Sequence, residues 1–297
     1  RAGGPGAAIG AERRDGRVRL ASRAVVVDLD EASGTWGATW LGAGEAALRG
    51  AVFTVEVDGK VLSPVGVKAE VVPAAGGAES GSEIVQTWGR GVVVERRLRV
   101  WRDQPVVVVS GTVTNGTAAD VVLGRTALVD LGPGSKGWWH AGQAHQSPGL
   151  VTVAGDSLWV CEPVGTESGA SERSYGGTMV LALAHQEPSA VLLAGFITGQ
   201  EGRPRVSARF RAAEAGTALT LAQNFLGRRL APGQRLVLDA VEMRAESDPW
   251  AALAHYGDDI VAASPRPVRK APTALWCSWY AHRMAMTEEL VLANAAV

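Results

Sequence analysis

Between Arg17 and Met243 the sequence never sustains a helical period. It runs in short segments of valine, leucine, phenylalanine and threonine punctuated by glycine, proline, asparagine and aspartate, the pattern of an all-β chain. Phe53, Val55 and Val57 alternate with Thr54, Glu56 and Asp58, which gives one face to a core and one to water. Asp58-Gly59 then supplies the positive-φ position that a tight reversal wants. Val92 to Val100 keeps the same alternation, whereas Val106 to Val109 is unbroken valine and reads as a strand buried on both faces. Asn115-Gly116 turns that strand into Val121-Val122-Leu123. Later segments behave alike: Met179 to Leu183, Ala190 to Thr198, Arg205 to Phe210, Leu219 to Phe225 and Leu236 to Met243, with Pro232-Gly233 as a turn. No repeat recurs at a fixed period, which disfavours a propeller or solenoid. The expected fold is mainly β: a large β-sandwich over residues 17–247, preceded by a flexible segment 1–16.

Composition supports one large core and narrows the functions. The 297 residues are 46% hydrophobic and 20% charged, with a formal net charge of -1. Such a chain can bury a core and has no basic surplus with which to neutralise phosphates. Nucleic acid is not an expected partner. No apolar run approaches the roughly 18 to 20 residues of a membrane span, so no membrane is expected either. Cys161 and Cys277 lie far apart and form no CxxC pair; both read as free thiols, with no metal site and no cofactor signalled. Asn115-Gly116-Thr117 matches a glycosylation acceptor, but a turn explains the same residues more simply. The opening Arg1 to Gly10 is read as a floppy terminus, the start of a truncated gene product or the remnant of a trimmed export signal, so the compartment stays open between cytoplasmic and secreted.

The pattern changes at Asp248-Pro249, where aspartate caps a helix and proline fits its first turn. Trp250, Leu253, Ala254, Gly257, Ile260 and Val261 recur at helical spacing and predict its apolar face. Ser264 to Pro272 is a basic connector punctuated by proline, as expected of a linker; the exit helix and linker together span 248–272. Then come an aromatic strand, Ala274-Leu-Trp-Cys-Ser-Trp-Tyr280, and Thr287 as a cap before Glu288-Glu289. Residues 273–297 thus predict one strand–helix unit, which cannot cover both faces of its own strand. Exposed apolar surface there predicts self-association, as a homo-oligomer, or disorder after about Lys270. Asp258-Asp259 on the helix and Asp28 and Asp30 near the start are expected to face solvent.

The stretch "APTALWCSWYAHRMAMTEELVLANAAV" resembles the sandwich-to-barrel junction of glycoside hydrolase family 36 and its α-galactosidase relatives. "LGRRLAPGQRLVLDAVEMRAESDPWAALAHYGDDIVA" resembles the end of that family's sandwich. The resemblance implies a bacterial enzyme acting on α-galactosides, whose N-terminal sandwich (a supersandwich) precedes a catalytic (β/α)8 barrel, otherwise absent here. Active sites of such barrels lie at the C-terminal ends of the strands, where Trp279 and Tyr280 fall. By resemblance Trp279 borders the galactose pocket as an aromatic wall, with Tyr280, His282 and Arg283 following in the loop; barrel core is the plain alternative for the tryptophan. A second candidate is the segment Gly137 to Ser147, where Trp138, Trp139, His140 and Gln146 combine aromatic faces with hydrogen-bonding groups suited to sugars. The resemblance implies a similarly placed loop over the barrel mouth, against which stands simple packing.

Family members cleave with retention, using two carboxylates about 5 to 5.5 Å apart. The resemblance puts both on later barrel strands, beyond Val297, so no catalytic residue is assigned and the chain is expected to be inactive alone. Two other readings stay open: a relative that transfers α-galactosyl groups or cleaves another α-glycoside, and a non-catalytic carbohydrate-binding or structural module.

Overall fold

The computed structural model describes residues 9–42, 47–74, 81–131, 138–140, 149–153, 160–163, 172–185, 190–211, 217–264 and 287. The chain divides into two units, Arg1–Ala263 and Ser264–Val297, and every element below belongs to the first. The linker after Ser264, the strand Ala274–Tyr280 with Cys277, and the helix expected after Thr287 lie outside the described residues.

The first five strands form a meander: β1 (Gly10–Arg14), β2 (Arg17–Ala21), β3 (Val25–Asp30), β4 (Trp36–Trp40) and β5 (Ala47–Val57). β6 (Lys60–Leu62) folds back on β5. A second meander follows in a different sheet: β7 (Ala69–Pro73), β8 (Gly81–Trp88), β9 (Val92–Trp101) and β10 (Val106–Asn115). β11 (Val121–Asp130) returns to the first sheet, and β12 (Trp138–His140) joins it there. β13 (Gly149–Val153) and β14 (Val160–Pro163) belong to the second sheet, β15 (Glu172–Gly177) to the first. β16 (Val180–His185) and β17 (Ala190–Phe196) are again in the second sheet, and β18 (Arg203–Arg211) and β19 (Thr217–Leu230) in the first. β20 (Arg235–Val237) and β21 (Val241–Glu246) close the second sheet before the helix α1 (Pro249–Ala263).

Among the described residues the first sheet runs β1-β2-β3-β4-β5-β11-β19-β18-β15 and the second β14-β13-β16-β17-β21-β10-β9-β8-β7. Their strand pairs are antiparallel, so the fold is the expected mainly-β sandwich. β1 pairs with β2 from Gly10 to Arg14, so the sheet already begins inside the segment expected to be flexible, because Val18 and Leu20 of β2 anchor that edge in the core.

Two inner faces meet in one core. Phe53 and Val55 on β5 are fully buried, as are Val94, Leu98 and Val100 on β9, and side chains of this size contribute about 1.5–3 kcal/mol each when fully buried. Across the gap Phe53 meets Trp88 edge to face, with centroids 5.7 Å apart, an arrangement favoured by the ring quadrupoles. Val106 to Val109 are all buried, as an unbroken valine run requires. Asp58 and Gly59 both take positive φ, 49° and 73°, the pair that an I′ hairpin turn needs.

The Asn115-Gly116 turn leads from one sheet to the other, since β10 pairs with β9, β20 and β21 while β11 pairs with β5 and β19. Asn115 is fully buried. Its amide donates to Ala119 O and Leu230 O, both at 2.8 Å, and its Oδ1 accepts from Thr117 N at 2.9 Å. Both amide hydrogens are thus engaged with the backbone, which leaves no room for a glycan in the folded protein.

Asp248 caps α1 as expected: its Oδ1 accepts from Trp250 N at 2.9 Å. The buried face differs from the expected one. Ala252 and Tyr256 are buried, with Leu253 and Ile260 packed beside them against Val180, Ala182, Val191 and Leu193. Trp250 and Val261 are instead 76% and 51% exposed. Helical spacing defines two apolar stripes here, and the one that docks is set by fit: Tyr256 reaches Phe196 O at 2.7 Å over a strand position, Gly195, that carries no side chain.

Candidate functional site

The sandwich segment singled out for sugar contact begins in β12. β11 lies between β5 and β19 as far as Asp130, and β12 resumes its line. Trp138, Trp139 and His140 are in register with Arg49, Leu48 and Ala47 of β5, and Trp139 with Thr217 of β19. These three residues therefore sit at one rim of the first sheet, where β5 and β19 begin. Gln146 lies outside the described residues. So do Trp279, Tyr280, His282 and Arg283, the candidates implied by the barrel junction.

Sequence reasoning passed over the densest ionisable groups of the described residues, which occupy the outer face of the second sheet. Glu83 is 1% exposed and is held by Arg97 Nη1 at 2.8 Å and by Arg99 Nε at 2.5 Å. Arg97 also bonds Glu95 at 2.8 Å, and these hydrogen bonds, to Glu95 and then Glu83, raise its pKa above the ordinary value. The Arg99 guanidinium stacks 5.7 Å from the Trp101 ring centroid, a cation–π contact.

Further across the same face, Arg244 on β21 gathers three carboxylates. Its Nε meets Glu242 at 3.4 Å, its Nη1 meets Glu246 at 3.2 Å, and its Nη2 pairs with Asp259 of α1. His255 Nδ1 lies 2.9 Å from Glu246. Asp259 is therefore not the solvent-facing residue expected; a guanidinium with 5% exposure draws it onto the sheet, while Asp258 stays exposed. The alternation Glu242-x-Arg244-x-Glu246 on a strand was the available signal, since period two puts all three on one face. Asp28 and Asp30 do face solvent in part, paired with Arg19 at 2.8 Å and Arg17 at 4.0 Å.

A third polar centre is Asp239, 2% exposed, between β20 and β21. Its carboxylate accepts from Gln200 N at 2.9 Å, Glu201 N at 3.1 Å and Gly202 N at 3.1 Å, and from Thr198 Oγ1 at 3.2 Å. Successive amides converging on one buried carboxylate fix the turn between β17 and β18, a structural task.

Burial, and then the neighbouring Asp259 carboxyl, push the Glu242 carboxyl up to about 8. A raised carboxyl beside another is the pattern of an acid–nucleophile pair. Glu242 has no exposed side-chain surface, however, so no glycosidic oxygen can reach it, and the pair is internal to the helix–sheet contact. Among the described residues no group of three or more His, Cys, Asp or Glu is placed to hold a metal ion, and no helix is long and apolar enough to cross a membrane.

No family model matches the chain, and no curated protein sequence matches it. Solved structures do. The galactosidase domain of the α-galactosidase–sucrose kinase AgaSK aligns with a TM-score of 0.56 at 11% identity, over 96% of this chain and 49% of that one. The α-N-acetylgalactosaminidase NagBb from Bifidobacterium bifidum gives 0.57 at 12%, over 82% and 39%. GH36 α-galactosidases from Geobacillus stearothermophilus are similar to the same degree. The Slr1438 protein from Synechocystis sp. PCC 6803 gives 0.53 at 7%, over 80% of this chain and 97% of that one. The chain thus spans about half the length of the α-galactosidases it matches, and it has their fold over that span.

Proposed function

We propose that this chain is the N-terminal part of an α-galactosidase-type glycoside hydrolase acting on α-galactosides, with 17–247 as its sandwich, 248–272 as exit helix and linker, and 273–297 as the start of its catalytic barrel. The observation that carries this reading is the likeness to α-galactosidase structures over 94 to 96% of the chain. It is joined by the resemblance of residues 271–297 to the family's barrel junction. Carboxylates for a retaining reaction would be supplied by later barrel strands, so the 297 residues alone would not cleave an α-galactoside. In this reading Trp279, Tyr280, His282 and Arg283 line the sugar site from the barrel side. Trp138, Trp139, His140 and Gln146 are the sandwich's own candidates for sugar contact.

Two assays test the proposal. The purified chain should give no turnover of a p-nitrophenyl α-galactoside; turnover would overturn the assignment of the carboxylates to later strands. Weak galactose binding that disappears in Trp279→Ala supports the barrel-side site, while binding unchanged by that substitution removes it. The likeness to the α-N-acetylgalactosaminidase favours a second reading, cleavage of another α-glycoside. A p-nitrophenyl α-N-acetylgalactosaminide presented to the full coding product separates the two. The near-complete coverage of Slr1438 by the same sandwich favours a third, a sugar-binding or structural module, which a full coding product inactive on both substrates would support.

A further inference from the structure

One buried oxygen lacks a partner where it can least do without one. Glu242 Oε2 is buried and meets no hydrogen-bond donor, while the other oxygen of the same carboxyl receives only the 3.4 Å contact from Arg244. A buried ionised carboxylate left this way carries a large desolvation penalty. Asp259 approaches from α1 and is joined to the same Arg244, so the two carboxylates sit on one guanidinium, Glu242 at Nε and Asp259 at Nη2. Two carboxylates cannot hydrogen-bond one another unless one keeps its proton. We propose that Glu242 and Asp259 hold one proton between them, and that this proton clasps α1 to the outer face of the second sheet at neutral pH and releases it in alkali.

The surroundings support a single proton. On its own strand Glu242 is followed by Arg244 and Glu246; from α1 it is faced by Asp259 and Tyr256, with His255 on Glu246. On β10 its register partner is Val108, and beyond that lies Arg99, already engaged by Glu83. On β17 it is opposite Gly195, with no charge. One guanidinium therefore serves three carboxylates, and a shared proton both removes a negative charge and supplies the missing donor. Burial of Glu242, and then the neighbouring Asp259 carboxyl, raise its pKa to about 8, in agreement with the unpartnered oxygen.

The direction follows from linkage. In the ordinary glutamate range and below, the clasped and opened forms both carry the proton, and pH changes nothing. From there to about 8 the clasped form keeps a proton that the opened form releases, so each unit of rising pH favours opening by up to about tenfold. Above that value the effect is complete.

Amide hydrogen exchange across residues 249–263, corrected for the intrinsic pH dependence of exchange, measures the opening. In the whole chain, opening should rise by about tenfold per unit between pH 6 and 8 and then level. Glu242→Gln keeps a donor but cannot titrate, and should give a flat profile. A flat wild-type profile, or the same slope in Glu242→Gln, would overturn the clasp. Independently of that variant's folding, carboxyl carbon NMR of glutamate-labelled wild-type protein should show one glutamate titrating far above the others; all glutamates titrating in the ordinary range would overturn it equally.

Discussion

Tyr256 donates its hydroxyl hydrogen to Phe196 O at 2.7 Å, and a methyl group at Gly195 would stand 2.8 Å from that hydroxyl. At β17 the helix is thus seated by one hydrogen bond and one missing side chain. Tyr256→Phe should lower stability by about 1 kcal/mol, the usual net worth of such a bond. Gly195→Ala should cost more, about 1–3 kcal/mol, because the added carbon must displace the ring or the Met179 carbonyl 3.0 Å away. Urea unfolding of both variants checks the order.

Asn115→Ala should destabilise by about 1–3 kcal/mol, because it strips the side-chain donor from the buried Leu230 carbonyl and the acceptor from Thr117 N. Asn115→Asp should be worse near neutral pH, since it turns a carboxylate oxygen toward that carbonyl. Expression in a glycosylating host should leave Asn115 unmodified, as read by peptide mass, because the folded side chain is fully buried.

Arg96 lies on the inner face of β9 at 1% exposure, bonded to Gly34 O at 3.2 Å and to Gln86 Oε1. Burial disfavours its charge strongly, pushing its pKa down to about 9. A guanidinium held this way by neutral acceptors is an expensive core residue. Arg96→Met alone should destabilise by about 1–3 kcal/mol by stranding the Gln86 carbonyl. Arg96→Met with Gln86→Leu should recover only part of that loss, since the Val67 carbonyl then loses its 2.7 Å bond from Gln86, and a thermal denaturation cycle over the four proteins reads the coupling.

The legible and the illegible parts of this fold separate by range of interaction. The Asp58-Gly59 hairpin, the doubly buried Val106–Val109 and the Asp248 cap are each decided within a few residues, by backbone φ, hydrophobic run and first-turn amide, and the sequence displays all three. The path from Asn115 to Val121 is also visible as a turn, but whether it closes a hairpin or passes between sheets depends on what β5 and β19 offer to β11. In the candidate site Trp138, Trp139 and His140 stand out by composition alone, whereas their place at the sheet rim comes from register with Arg49, Leu48 and Ala47. Glu242, Arg244 and Glu246 could be placed on one strand face from their period. Their meeting with Asp259 could not, because a helix presents several faces and only packing chooses one.

By itself the sequence determined that the chain is a β-sandwich followed by a helix, since alternation, turn residues and a capping aspartate act locally and leave their period in the chain. The tertiary structure alone decided which strands share a sheet, which stripe of α1 is buried and which carboxylates are brought together. Those outcomes depend on contacts between distant segments, where a glycine at 195 or an arginine at 244 has meaning only through the residue that arrives opposite it.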